Sequence, residues 1–189
     1  MTVRATIILL LVALASCGDG VSRQTAVPRR TAYPRPRLLD TVMRPADAAP
    51  RRTVLVNAGA EVSSPRQGWL DVAYPIYGAT MHITVTDVTP VTVDGIKANR
   101  MERVLLNAGG LPGLQSEWIN PAGMSVMTLR TAGSSTPLQF LATDDSSTVV
   151  SGAVYFSDQT AVSSADSIAP VVDAIEGDIR RMLNNLENE

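Results

Sequence analysis

The chain has 189 residues, of which 45% are apolar and 18% are charged, and it contains one histidine and one cysteine. That inventory excludes a disulfide-based fold and a zinc site built from several histidine and cysteine ligands. Charge is uneven: residues 18–52 carry eight arginines against three aspartates, a net of +5, whereas residues 53–189 carry seven basic against fifteen acidic residues, a net of −8. Because the larger part is acidic, we expect no nucleic-acid partner.

The N-terminus has the pattern of a bacterial lipoprotein signal. Residues 5–15 are almost purely apolar, yet a helix of that length spans only about 17 Å, short of a bilayer core of roughly 30 Å. Leu14-Ala15-Ser16-Cys17 follows as a lipobox. We predict that residues 1–16 are a removed signal peptide and that Cys17 carries the anchoring acyl chains, palmitate among them. The alternative is an ordinary cleaved signal beside a bystander cysteine.

Residues 17–52 are rich in proline and arginine, which predicts a lipid-anchored tether. Proline lacks a backbone donor and fixes φ, so we expect polyproline II structure here rather than helix or sheet. The arginines suit a position near anionic lipid headgroups. One stretch, Tyr33-Pro34-Arg35-Pro36-Arg37, is either a solvated spacer or a docking segment in which Tyr33, Arg35 and Arg37 contact a partner.

Residues 53–189 are predicted to form one globular domain with its own core. Strict alternation across Ala79–Thr86 places Met81, Ile83 and Val85 on one buried face of a strand. The other strands are predicted at 54–56, 69–74, 124–131, 137–143 and 148–156, with an irregular connection at 111–123.

Two helices are predicted in this domain. Apolar residues at helical spacing over 92–107, Leu105 among them, indicate the first helix, which Thr92 would cap and Gly109 would end. A long amphipathic helix closes the chain, with Pro170 expected in its first turn. Its apolar stripe consists of Ile168, Val171, Val172, Ile175, Ile179, Met182, Leu183 and Leu186. The element order predicts an α+β domain, an antiparallel sheet of about five or six strands with both helices against one face.

Several short segments, taken in order along the chain, carry a family resemblance. They are YPRPR at 33–37, WLDVAYP at 69–75, ATMHI at 79–83, NPAG at 120–123, LQFLATD at 138–144, GAVYF at 152–156 and DSIAPV at 166–171. Together with the lipobox, these segments resemble the gliding-motility lipoprotein D (GldD-like) family of Bacteroidetes bacteria. The resemblance covers most of residues 33–186, and the chain departs from the family pattern around 53–66 and 90–112.

The resemblance implies a cell-envelope lipoprotein associated with gliding motility and the linked type IX secretion machinery. It implies other proteins of that machinery as partners, no cofactor and no enzymatic activity, since the family offers no catalytic residues to carry over. A different class of function stays open: a periplasmic ligand-binding lipoprotein that holds a lipid or a peptidoglycan fragment. A deep apolar pocket would favour that alternative.

Residues able to carry chemistry are few. His82 is the sole candidate base, with Asp71 and Asp87 nearby in sequence, but no serine is singled out as a nucleophile. We therefore expect His82 to be structural or solvent-facing. The alternative is that His82 is the catalytic base of a cryptic hydrolase. Residues 144–147 (DDSS) match only half of a calcium-binding loop, so a hairpin turn is expected and no metal site is predicted.

The aromatic residues are candidates for a partner surface, because aromatic side chains are enriched at binding hot spots. The chain has only eight of them. Each candidate is either part of such a surface or part of the core, and burial decides between the two. The candidates are Trp69, Tyr74, Tyr77 and Trp118.

Overall fold

The computed structural model describes residues 36–49, 52–157 and 165–186. Its strands are β1 (Met43–Ala49), β2 (Arg52–Asn57), β3 (Glu61–Ser63), β4 (Trp69–Tyr74), β5 (Ala79–Asp87), β6 (Gly113–Ile119), β7 (Ser125–Thr131), β8 (Leu138–Thr143) and β9 (Thr148–Phe156). Its helices are α1 (Val93–Ala108) and α2 (Ala165–Asn184), and a 3-10 turn spans Pro75–Tyr77.

The main sheet has seven strands in the order β3-β4-β5-β9-β8-β7-β6, and every neighbouring pair is antiparallel. β1 and β2 form a separate antiparallel pair. The predicted α+β class with an antiparallel sheet and two helices is confirmed, and the sheet is larger than the five or six strands expected. The β4–β5 hairpin closes through Gly78, which adopts the left-handed conformation with φ 59°.

Three strands lie where none is predicted, and one of them is β3, a three-residue strand at the edge of the main sheet. The predicted connection at 111–123 contains β6, an edge strand whose residues are mostly exposed, so the sequence shows no apolar alternation there. β1 lies in the segment predicted to be polyproline II, because Ala46 and Ala48 are buried in the main core. Pro45 is tolerated in β1 because, in the described residues, β1 pairs on one side only, with β2.

One face of the sheet, called the closed face, carries the main hydrophobic core. α2 and the β1–β2 pair pack on it, and their apolar side chains join those of the sheet in one cluster. Met81, Ile83 and Val85 point into this cluster and are buried, as the alternation of β5 predicts. The predicted stripe of the C-terminal helix is also confirmed: Val171 through Leu186 of the stripe are buried, and Ile168 is partly buried against them.

The opposite face, called the open face, is covered only in part. α1 packs there against Met127, Leu129, Leu141 and Val149 of β7, β8 and β9. The prediction that both helices lie against one face is therefore wrong. The physical reason is that β7 to β9 are apolar on both faces, so each face requires cover, and β8 is buried along its whole length.

The helix ends follow the predictions in part. Gly109 ends α1 in the left-handed conformation with φ 61°, as expected. Thr92 holds the N-cap position, but its side chain makes no cap hydrogen bond and instead accepts one from the Thr89 backbone N–H at 2.9 Å. Pro170 lies inside α2 rather than in its first turn, because the helix already includes Ala165.

Buried polar side chains tie α2 to the rest of the closed face. Asn57 of β2 donates to the Asp178 carboxylate at 3.1 Å and to the Asp40 carbonyl at 2.8 Å. Burial and the nearby Asp178 charge raise the pKa of Tyr74 well above its usual range. By distance and angle, the buried Tyr74 hydroxyl makes no hydrogen bond within the described residues. The Asn120 amide donates to the carbonyls of Leu183, in the last turn of α2, and of Leu186, just beyond it.

Candidate functional site

A cleft of about 540 Å³ lies on the open face, beside α1. Its volume is in the range of small-molecule sites, roughly 300–1,000 Å³. We call it the arginine cleft. It is lined by Arg66, Trp69, His82, Thr84, Arg100, Arg103, Val104, Asn107, Gln139, Phe140, Ser151, Gly152, Ala153 and Tyr155.

His82 stands at one side of the arginine cleft and is oriented by Asp71. The two residues face each other across β4 and β5, and His82 Nδ1 lies 2.6 Å from Asp71 Oδ1. A carboxylate is an acceptor, so Nδ1 carries the hydrogen and Nε2 is left as the other ring nitrogen. The Tyr155 ring packs edge-on against the imidazole, with centroids 5.4 Å apart.

His82 and Asp71 correspond to the base and the orienting carboxylate of a Ser-His-Asp triad, which also needs a serine nucleophile. Within the described residues, Asp71 is the hydrogen-bond partner of His82, and no serine hydroxyl lies at bonding distance. Ser151 lies on β9 opposite Thr84, two residues along β5 from His82. The His82 side chain is 48% exposed, which agrees with the expected solvent-facing position.

Three arginines give the cleft a positive charge. Arg100 and Arg103 are three residues apart on α1 and therefore share one side of the helix. Arg66 lies over the Trp69 ring, with Cζ 3.2 Å from the ring centroid. Burial lowers the pKa of Arg100 from its usual value, and the Arg103 charge lowers it further. Among the described residues, none of these three guanidinium groups is ion-paired with a carboxylate.

The predicted surface residues have different surroundings. Trp69 is 37% exposed at the arginine cleft. Tyr74 and Tyr77 are buried in the closed-face core, so both are core residues, and their rings stack at 5.9 Å. Trp118 is partly buried, and its indole N–H donates to Asn184 of α2 at 2.8 Å. Arg37 is exposed. Tyr33, Arg35 and the predicted lipidation site Cys17 lie outside the described residues.

A second surface was not expected from the sequence. Four leucines within ten residues of chain are exposed, at the end of α1 and the start of β6: Leu105, Leu106, Leu111 and Leu114. We call these leucines, with the outer side of β6, the leucine edge. Leu105 is 63% exposed although the helical spacing predicts an inward position. In the part of the chain that the structure describes, β6 pairs only with β7, so its outer backbone groups face away from the sheet.

In the acidic turn between β8 and β9, the Asp144 carboxylate is stabilised by backbone N–H groups of the same turn. Asp144 Oδ1 accepts from the backbone N–H groups of Ser146, Ser147 and Thr148 at 2.8–3.0 Å. Burial alone would raise the pKa of Asp144, but these bonds and one from the Ser147 hydroxyl outweigh it and hold the pKa far below its usual range. The predicted hairpin turn is confirmed, and the described residues contain no cluster of potential metal ligands.

Neither α1 nor α2, the two helices in the described ranges, is long and apolar enough to cross a membrane. A comparison with curated proteins gave no match. The family model described as gliding motility lipoprotein GldD matches residues 23–188. This match includes α1, α2 and all the strands named above, and it confirms the resemblance predicted from the short segments. The chain therefore belongs to the GldD family of gliding-motility lipoproteins, which are membrane-anchored proteins of the cell envelope.

Proposed function

We propose that this lipoprotein is a non-enzymatic accessory or assembly factor of the gliding-motility and type IX secretion machinery. The observation that carries the proposal is the family match over residues 23–188. In this role the protein acts through contacts with other envelope proteins rather than by turning over a substrate. Its membrane attachment is the lipid on Cys17, and the folded domain lies on the periplasmic side.

The anchor is supported by the order of features at the N-terminus. An apolar run and the lipobox precede Cys17, and the family match begins shortly after it. Two or more acyl chains hold a protein stably at a membrane, whereas one chain binds only marginally. The basic segment at 18–52, with a net charge of +5 from eight arginines against three aspartates, adds attraction to anionic headgroups.

The leucine edge supports a role in protein contacts. Leu106 is 71% exposed and Leu114 is 70% exposed, so each presents a large apolar side chain that a protein partner could bury. An edge strand offers unpaired backbone donors and acceptors to an added strand. The leucine edge therefore combines apolar area with backbone groups that a partner can satisfy.

A non-enzymatic role agrees with what the arginine cleft presents. Arginines and aromatic rings bind and orient ligands, and the histidine is held by Asp71 at 2.6 Å. The ligand-binding alternative predicts a deep apolar pocket, whereas this cleft adds three arginines, a histidine and two side-chain amides to its apolar lining. A lipid tail therefore has poor complementarity to it.

Gene deletion with complementation tests the proposed function. We expect deletion to abolish gliding, or secretion of type IX cargo in a strain that does not glide, and the wild-type gene to restore it. Unaltered motility and secretion in the deletion strain would contradict the proposal. Cys17→Ala in the complementing gene is expected to release the protein from the membrane and to restore neither process.

Paired charge substitutions test the leucine edge. Leu106→Glu with Leu114→Glu is expected to leave the fold intact, because both side chains are exposed, and to prevent complementation. Val91→Glu is the matched control, since Val91 is 92% exposed at the other end of α1. Equal complementation by the double variant and the control would show that partner contacts lie elsewhere.

A further inference from the structure

We propose that the arginine cleft binds a small anion, with its phosphate or carboxylate group between Arg100 and Arg103 and its ring or apolar part against Trp69. This inference goes beyond the proposed function, because it concerns a ligand rather than a protein partner. The ligand class is a phosphate or carboxylate anion that carries a flat or apolar group.

The first argument is the unbalanced charge of Arg100. Its Nε atom is buried and has no hydrogen-bond partner in the described residues, while its Nη2 atom donates to the Thr86 hydroxyl at 3.3 Å. Buried charged groups are normally paired and fully hydrogen-bonded, since desolvation is otherwise uncompensated. Arg103 adds a second positive charge on the same side of α1. An anion between the two guanidinium groups supplies the countercharge that neither finds within the described residues.

The second argument is that, within the described residues, other basic side chains of the domain are ion-paired, whereas those of the cleft are not. Lys97 pairs with Asp145 at 2.5 Å, and Arg130 pairs with Asp173 and Glu176. Of the four basic residues outside the cleft in residues 53–189, three thus find acids, Arg181 with Asp178 being the third, and Arg180 lies over Trp118 instead. Asp71 is the acid nearest the cleft in the sheet register, and His82 holds its carboxylate.

The third argument concerns the apolar part of the ligand. Arg66 stacks on Trp69 at 3.2 Å, which leaves the edge of its guanidinium fork available for an anion. Trp69 and Tyr155 remain 37% and 39% exposed, so both rings offer surface to a ligand. The guanidinium groups and the exposed aromatic rings therefore line the same cleft of about 540 Å³.

Calorimetric titration of the full chain in detergent tests this proposal, with phenyl phosphate and benzoate as probes at constant ionic strength. We expect saturable binding of at least one probe and a loss of tenfold or more in affinity for Arg100→Gln with Arg103→Gln. Phenyl phosphate binding more tightly identifies a phosphate ligand, and benzoate binding more tightly identifies a carboxylate ligand. Trp69→Ala is expected to weaken binding of both probes.

Arg180→Gln is the matched control, because Arg180 also lies over a tryptophan, Trp118, at 4.7 Å but outside the cleft. Its affinity is expected to equal that of the wild type. If the double variant fails to fold by circular dichroism, the exposed Arg103→Gln alone replaces it, with the same tenfold criterion. No saturable binding of either probe, or a loss below tenfold in the folded cleft variant, would overturn the proposal.

Discussion

The two faces of the seven-stranded sheet are built from different side chains. The closed face buries apolar residues from five elements or more, and its polar groups, such as Asn57 and Asp178, are hydrogen-bonded to each other. The open face has apolar cover only where α1 lies, and beside it three arginines, a histidine and a tryptophan line a cleft. One face is therefore organised for stability, and the other leaves polar groups available for binding.

The difference predicts which substitutions change the stability of the fold and which change ligand binding. Buried, well-packed side chains contribute free energy of folding in proportion to the apolar area and volume removed. Exposed groups contribute little to stability, so their presence in a cluster calls for another reason. Substitutions on the closed face should therefore change stability, and substitutions of the exposed side chains of the arginine cleft should change binding alone.

The largest effect is expected at the centre of the closed face. Leu183→Ala removes a fully buried side chain of α2 and leaves a cavity beneath the sheet. We expect the free energy of unfolding to fall by about 2–5 kcal/mol. Urea denaturation followed by circular dichroism measures it, and a loss below about 1 kcal/mol would show that the closed face is loosely packed.

Gly152 in β9 tests how tightly the sheet itself is packed. An added Cβ would lie 2.4 Å from Phe140 Cζ and 2.5 Å from the His82 carbonyl oxygen, so backbone as well as side chain must move. We expect Gly152→Ala to cost about 1–3 kcal/mol of stability. Gly95→Ala is the control, since a Cβ there meets nothing within 4 Å. Equal stability of the two variants would contradict the close contact.

Asn57 tests the buried polar link of the closed face. Asn57→Ala leaves the Asp178 carboxylate with one fewer donor in a buried position, although Arg181 still donates to it at 2.6 Å. The expected loss is about 1–3 kcal/mol. Asn57→Ala with Asp178→Ala should recover part of this loss in a double-mutant cycle. Strict additivity of the two substitutions would show that the side chains do not interact.

Asp144 gives a smaller, pH-dependent effect. Its pKa is lower in the folded chain than the usual value near 4, so its contribution to stability is full above about pH 4 and is lost as the pH falls further. Asp144→Ala is expected to cost about 1 kcal/mol at pH 7. The difference from wild type should shrink as unfolding is measured at successively lower pH, and a constant difference would contradict the assignment.

Arg103 should have the smallest effect on stability. Arg103→Gln removes an exposed charge that makes one long hydrogen bond to Asn99, at 3.4 Å. The change in unfolding free energy should stay within about 0.5 kcal/mol. A loss of several kcal/mol would mean that the open face is also structural, and the contrast between the faces would fail.

Much of the fold could be predicted because its signals are local. β5 shows a period of two residues, and α2 carries one continuous apolar stripe, so each reveals its buried face without knowledge of its neighbours. β1 and β6 escaped prediction because their pairing partners, rather than their own residues, make them strands. The packing of α1 on the open face could not be predicted, because apolar runs do not show which element packs on which side of a sheet.

The arginine cleft and the leucine edge were less predictable. Arg100 and Arg103 read as ordinary solvent-facing charges of a helix, and only the packing of α1 brings them near Trp69 and His82. The pairing of His82 with Asp71 depends on the β4–β5 register, which the prediction of strands at 69–74 and 79–86 does not fix. Leu106 had one available signal: it falls outside the apolar face of α1.

Site-specific photo-crosslinking in living cells tests the proposed protein contacts most directly. A photoreactive residue replaces Leu114 at the leucine edge or, as the control, Val91, and captured proteins are identified by mass spectrometry. We predict that the probe at Leu114 captures a component of the gliding or type IX secretion machinery and that the probe at Val91 does not. Capture of no such component, or equal capture from both positions, would contradict the proposal.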